Sequence, residues 1–272
     1  MDINQIRFTI FLSIFLLLLV LESLIQRHPK VDSKINRLKT NLVMAGINIV
    51  AMRLVFGAAA VGAAQFAEGN GWGLFNYLDW TKWLEILAVV IFMDLMIYIQ
   101  HILVHVIPLF WQFHIVHHTD LDLDVSSGLR FHPIEILASM LFKIGLVIAL
   151  GPSPLAVIIF EAILNGMALF SHSNIALPEK LDRMLRYIIV TPDMHRIHHS
   201  IEKMEANANF GFNLSIWDRF FGTYINDAKK EQSKIVIGVD QFRTGEKLSL
   251  KNLLLIPFKK IPKDYSLFSG RD

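Results

Sequence analysis

Apolar residues in this chain gather into long blocks rather than alternating with polar ones. The first block, residues 8–25, is interrupted only by Thr9, Ser13, Glu22 and Ser23. About 18 to 20 such residues cross the hydrocarbon core of a bilayer, so the block predicts a first span. A cleaved signal peptide is the competing reading. Against it, the run is long, its basic flank is Arg7 alone, and no small-x-small cleavage site follows.

Residues 42–66 are rich in Ala and Gly, as closely packed membrane helices are, and predict a second span. Residues 83–107 predict a third. Residues 134–150 and 154–170 are joined by Gly-Pro-Ser-Pro, which cannot continue a helix, and predict a hairpin that enters the membrane and returns to the same face. The loop between the first two spans carries Arg27, Lys30, Lys34, Arg37 and Lys39, whereas residues 67–82 carry Lys82 against Glu68 and Asp79. The positive-inside rule puts the first loop in the cytoplasm, and with it the end of the third span and everything from His172 onward.

The remainder differs in kind. Residues 178–190 place Leu181, Met184, Leu185, Ile188 and Ile189 at helical spacing between charges, an amphipathic helix that either lies along the interface or packs on its neighbours. Residues 209–224 are aromatic and glycine-rich, and the chain then becomes polar to its end. The division expected is 1–82 as an N-terminal transmembrane region, 83–225 as a catalytic domain and 226–272 as a polar tail. Gly69 to Gly73 (GNGWG) follows a span rather than a strand and reads as a turn, not a nucleotide loop.

Composition narrows the chemistry. The formal charge of +2 gives no basic surface for nucleic acid. With no cysteine, thiolate-held metals, iron–sulfur clusters and cysteine nucleophiles are excluded, so any metal is held by nitrogen or oxygen.

Nitrogen is plentiful in one stretch. Ten of the 11 histidines fall between residues 101 and 199, where even placement would put about four. They spell HILVH (His101, His105), HIVHH (His114, His117, His118) and HRIHH (His195, His198, His199), with His132 and His172 between. Residues three or four apart share a helix face, so each box reads as a comb of imidazoles pointing one way. A single box has a bland reading as ordinary core or surface histidine. Three boxes at the end of a membrane span need partners that a metal supplies at once. Nine or ten nitrogens exceed what one ion of four to six ligands uses, so two metals are expected. There is no HExxH for a zinc peptidase, and the boxes hold no carboxylate of the kind that bridged hydrolytic sites use. Imidazole suits iron, copper and zinc, and an open site on redox-active iron activates oxygen.

These boxes, with LDVSSGLRFHPIE after the second, HSN before the third and GFNLSIWDRFFGTY after it, resemble the fatty acid hydroxylase or sterol desaturase superfamily of membrane di-iron enzymes over about residues 85–225. The resemblance implies an all-α polytopic membrane bundle, about three spans plus a helical hairpin, capped by a cytoplasmic histidine-rich di-metal domain. It implies His101, His105, His114, His117, His118, His195, His198 and His199 as ligands of two iron ions, joined by His172, with His132 behind them. It also implies O2 as co-substrate, electrons from a separate carrier protein, and hydroxylation or desaturation of a lipid C–H bond. Some branches, such as the alkylglycerol monooxygenases, carry glutamate directly after the second histidine of the first box; here it is Val106.

Three further residues draw attention as partners of ligand imidazoles. Asp94 lies mid-span, seven residues before His101, and a carboxylate at that depth is functional by default. Asn174 and Asp193 flank box histidines and are placed to accept their second N–H groups. Glu161 and Asn165, four apart in the hairpin, either pair with each other or line a lipid tunnel, and the structural reading is preferred. The rival classes are a metal-ion transporter, which would depend on Asp94 and tolerate loss of His198 or His199, and a non-catalytic scaffold, which would tolerate loss of every box.

Overall fold

The computed structural model describes residues 3–57, 59–78, 80–244 and 248–259. The described residues form helices and loops, with isolated bridges but no extended sheet. The long helices are α1 (Ile3–Leu24), α2 (Lys34–Phe56), α3 (Ala59–Asn70), α4 (Lys82–Val106), α5 (Pro108–His118), α6 (Pro133–Leu150) and α7 (Pro154–His172). Short helices follow: α8 (Glu179–Leu185), α9 (Pro192–His198), α10 (Lys203–Ala206), α11 (Ile216–Phe221) and α12 (Leu250–Leu255). Five stretches are long and apolar enough to cross a membrane: Gln5–Leu24, Lys34–Asn76, Lys82–Val106, Pro133–Leu150 and Pro154–His172. Within them α4 and α7 are the central pair, with 39% and 44% of their apolar windows buried, against 11% for α6.

The second span departs from expectation. Its apolar run, 42–66, crosses a break at Gly57, where φ is 58°. Helix α2 stops there and the chain restarts as α3, whose Ala60 and Ala64 pack into a core with Val89 and Met93 of α4, Val147 of α6 and Phe160 of α7. Hydropathy does not register such a break, because both pieces are equally apolar.

The hairpin forms as its turn dictates. Gly151 closes α6 in the left-handed region, Ser153 caps α7, and Pro154 occupies the first helical position. The GNGWG segment is a turn pressed against this one. A Cβ on Gly73 would lie 2.2 Å from the Gly151 nitrogen, so only glycine fits. The Glu161 carboxylate pairs with Arg7 of α1 and with Lys143 of α6 at 3.4 Å, rather than with Asn165.

At the opposite end of the bundle the termini of α1, α2, α4, α6 and α7 come together. Glu22 accepts from the backbone N–H groups of Val125 and Asn174 at 2.9 and 3.2 Å, and Arg37 reaches Asp120. Described residues of the segment expected as a polar tail are built into this end. Val239, Leu248, Leu253 and Ile256 are buried against Trp111, Ile115 and Val116 of α5. A few apolar residues spaced among charges bury well when a helix face is there to receive them, and local composition does not report that. The 178–190 segment is helical only over α8, and it turns its polar side inward. Asp182 and Arg186 are buried as an ion pair at 2.6 Å, while Leu181, Met184, Tyr187 and Ile188 face outward.

Candidate metal centre

Helix α4 ends because Ile107 precedes a proline, which drives it into extended backbone (φ −86°, ψ 115°). Pro108 restarts the helix at its first position and folds α5 back beside the end of α4. That turn sets the first two boxes face to face. The rings of His105 and His118 lie 4.8 Å apart, and those of His105 and His114 4.9 Å. Helix α9 closes the arrangement from a third side, with the His198 ring 4.6 Å from that of His101.

The nine histidines sort into two buried groups: His101, His105, His114, His118 and His198, and His117, His172, His195 and His199. Within each group, one nitrogen per residue lies within 4.8 Å of all the others. The groups abut, the rings of His118 and His199 stacking at 4.4 Å. The second and third boxes therefore do not point one way, whereas the first does. Adjacent helical residues are about 100° apart, so His117 and His118 turn to different groups, as do His198 and His199. The second and third boxes thus span both groups, while His101 and His105 of the first stay together in one.

Ring orientation is fixed from behind. Nδ1 of His101 donates to the Phe210 carbonyl at 2.8 Å, that of His172 to Ala168 at 2.7 Å, that of His198 to Ala208 at 2.9 Å and that of His117 to Arg130 at 3.3 Å. A nitrogen facing a carbonyl carries the proton, which leaves Nε2 as a bare lone pair. The Nε2 atoms of His117 and His172 are 3.0 Å apart, those of His172 and His195 3.1 Å, and those of His195 and His199 3.2 Å. In the other group, Nε2 of His105, His114, His118 and His198 is buried with no hydrogen-bond partner. Converging lone pairs repel unless a cation sits between them. A tetrahedral ion with bonds of about 2.0–2.1 Å holds its nitrogens about 3.3 Å apart, close to these spacings.

Electrostatics favour the neutral, ligating form. Burial, followed by the crowding of neighbouring imidazoles, holds His117, His118, His195 and His199 well below the ordinary histidine range. Burial brings His198 down to about 3. The donor set is all imidazole, and it fits a pair of borderline metal ions.

Two polar frameworks hold the cluster. In the first, residues 208–218 present the Ala208 and Phe210 carbonyls to His198 and His101. Asp218 fastens this segment by accepting from the N–H groups of Phe210 and Gly211 at 2.8 and 2.7 Å. Asp94 fastens it to α4, accepting from the N–H groups of Asn213 and Leu214 at 3.1 Å each and from the Trp217 indole at 2.8 Å. In the second, Arg37 donates to both carboxylate oxygens of Asp120 at 2.6 and 2.9 Å, and to Asp124 at 2.7 Å. Arg130 donates to Asn41 and Thr119 at 3.1 Å each and to the Val116 carbonyl at 3.2 Å. Burial alone would raise the Asp120 carboxyl, but Arg37 and Arg130 overcome it and hold it well below the usual carboxylate range.

The four residues expected to orient imidazoles are all buried near the cluster, yet none bonds to one of its rings. Asp94 acts on the 213–217 backbone and indole. Asn174 bridges the His28 N–H and carbonyl at 3.0 and 2.9 Å. Asp193 pairs with Arg27 at 2.8 Å and with Arg196. His132 caps α6, accepting from the Ile134 N–H at 3.2 Å, and its Nε2 meets the Leu254 carbonyl at 3.3 Å. Backbone groups that need partners take up Asp94, Asn174 and His132, and guanidinium groups take up Asp193. The partners the rings do have are mostly carbonyls, which carry no residue signature. The exception is Glu135, 2.5 Å from Nδ1 of His114, and its place in FHPIE was the only signal.

A family model, fatty acid hydroxylase, matches residues 86–223, half of the chain and every histidine of the two groups. The chain belongs to the fatty acid hydroxylase family. Among curated relatives it is 32% identical over 164 residues to the ornithine lipid hydroxylase OlsE of Rhizobium tropici, covering 58% of this chain and 47% of that protein. It is 30% identical over 153 residues to the alkylglycerol monooxygenase of Xenopus tropicalis, covering 56% and 32%, and 30% identical over 174 residues to that of Danio rerio, covering 62% and 36%. The chain thus spans less than half the length of these relatives. No solved structure matches it.

Proposed function

We propose that this member of the family is a membrane-bound, oxygen-dependent di-iron hydroxylase of a lipid. The observation that carries the reading is the pair of abutting, buried groups in which the imidazole nitrogens of nine histidines converge. His101, His105, His114, His118 and His198 would hold one iron, and His117, His172, His195 and His199 the other. Bound iron supplies the activation of O2, so that the net change is lipid C–H plus O2, two electrons and two protons to lipid C–OH plus water.

The chain's own residues contribute placement and exclusion of water. The Ala208, Phe210, Arg130 and Ala168 carbonyls fix the tautomers of His198, His101, His117 and His172. The apolar faces of α4 and α7 bring the membrane interior up to the cluster, so an acyl or alkyl chain reaches it without entering water. Hydroxylation is favoured over desaturation because the matched relatives are named for hydroxylation or monooxygenation. Lipids with a polar head and a long chain are the substrate class to which those names point. No dinucleotide fingerprint or cysteine cluster occurs in the sequence, so electrons come from a separate carrier. The basic 27–39 loop lies at the cluster's end of the bundle, which supports a cytoplasmic reading of that end.

The test is metal analysis with Mössbauer spectroscopy on the iron-replete protein, its His198→Ala and His117→Ala variants, and lipid comparison of cells with and without the chain. The expected result is about two irons as a coupled pair, diminished in both variants, with a hydroxylated lipid missing where the chain is absent. Zinc alone under iron-replete conditions, or unaltered lipids, would overturn the reading.

A further inference from the structure

Among the described residues of the two groups, His114 is the one whose Nδ1 faces a carboxylate rather than a backbone carbonyl. Glu135 stands in the first turn of α6, where the helix dipole favours negative charge. Pro133 at the first helical position and the His132 cap fix where that turn begins. Its Oε1 lies 2.5 Å from His114 Nδ1, and its Oε2 is buried with no hydrogen-bond partner, so no other donor draws charge from the bond. On the far side of the same ring, Nε2 is buried, unpartnered and aimed among the nitrogens of the five-histidine group.

A carbonyl behind an imidazole fixes its tautomer and angle. A carboxylate does both and also adds a full negative charge, which raises the basicity of the opposite nitrogen. We propose that Glu135 is a positioning residue that acts through His114, making it the strongest donor of the five-histidine group and so setting the affinity of that site independently of the four-histidine site. The proposal rests on the metal-centre reading above.

The test uses the full chain in detergent, stripped of metal and titrated with Co2+ against a graded chelator, which does not depend on turnover. Four- and five-coordinate cobalt absorb differently, so the two sites are read separately. Glu135→Gln keeps an oxygen able to accept from Nδ1–H but removes the charge. It is expected to weaken the five-histidine site by about 10- to 100-fold and leave the four-histidine site as in the native chain. In a His114→Ala background the same substitution is expected to add no further loss. Equal weakening of both sites, native affinity at both, or an undiminished effect without His114 would each overturn the proposal. Fewer than two cobalt ions on the native chain would overturn the metal centre itself. Should Glu135→Ala not insert or fold, the isosteric Gln variant still decides.

Discussion

Asp94, halfway along a membrane-spanning helix, accepts the indole N–H of Trp217 at 2.8 Å across 123 residues of sequence. The same carboxylate takes the N–H groups of Asn213 and Leu214. Irregular backbone beside a span is tolerated only when its polar groups are satisfied, and here one side chain satisfies two of them. The segment so anchored carries the carbonyls behind His101 and His198, which makes Asp94 a remote determinant of two ligands of one group.

Asp94→Ala is therefore expected to lower metal affinity by about 10- to 100-fold while leaving membrane insertion intact, since it removes the anchor and not a ligand. Chelator competition on the purified variant reads this directly. Native affinity would reduce Asp94 to a packing role.

Arg37 sits in a buried cage with Asp120, Asp122 and Asp124, its side chain 3% exposed. Arg37→Met would leave these carboxylates without their main counter-charge next to the second histidine box. Breaking a buried pair from one side costs about 3–5 kcal/mol, so a clear fall in thermal stability in detergent is expected. Arg37→Lys should recover little of it, because an ammonium cannot donate in the bidentate fork that Asp120 accepts. Full rescue by Lys would mean that charge alone matters.

Asp218 gives a pH dependence of definite sign. Burial pushes its carboxyl up to about 6 from an ordinary 3.8, even though the Thr223 hydroxyl and the N–H groups of Gly211 and Phe210 favour the ionised form. The folded chain holds this proton where the unfolded chain has released it. Its contribution is thus fully present below about 3.8 and is lost as pH rises through about 6. Asp218→Asn does not titrate, so the native-minus-variant difference in melting temperature should shrink from pH 4 to 6 and stay level above. A constant difference would show that Asp218 does not change ionisation in this range.

The sequence by itself determined the parts that depend on neighbours a few residues away. Apolar blocks marked the membrane helices, Gly-Pro-Ser-Pro marked the turn of the hairpin, and histidines at three- and four-residue spacing marked the ligating segments. Only the tertiary structure decided which histidine joins which group, because the 100° between His117 and His118 has meaning only once α4, α7 and α9 surround α5. It also decided the partners of Asp94, Arg37, Asp193 and Asn174, the break at Gly57, and the burial of Val239, Leu248, Leu253 and Ile256. Pairings such as Arg37 with Asp120, 83 residues apart, leave no periodic trace. The physical reason is one of range: helical propensity and hydropathy are local sums, whereas a buried polar group takes whichever partner the packed chain brings within about 3 Å.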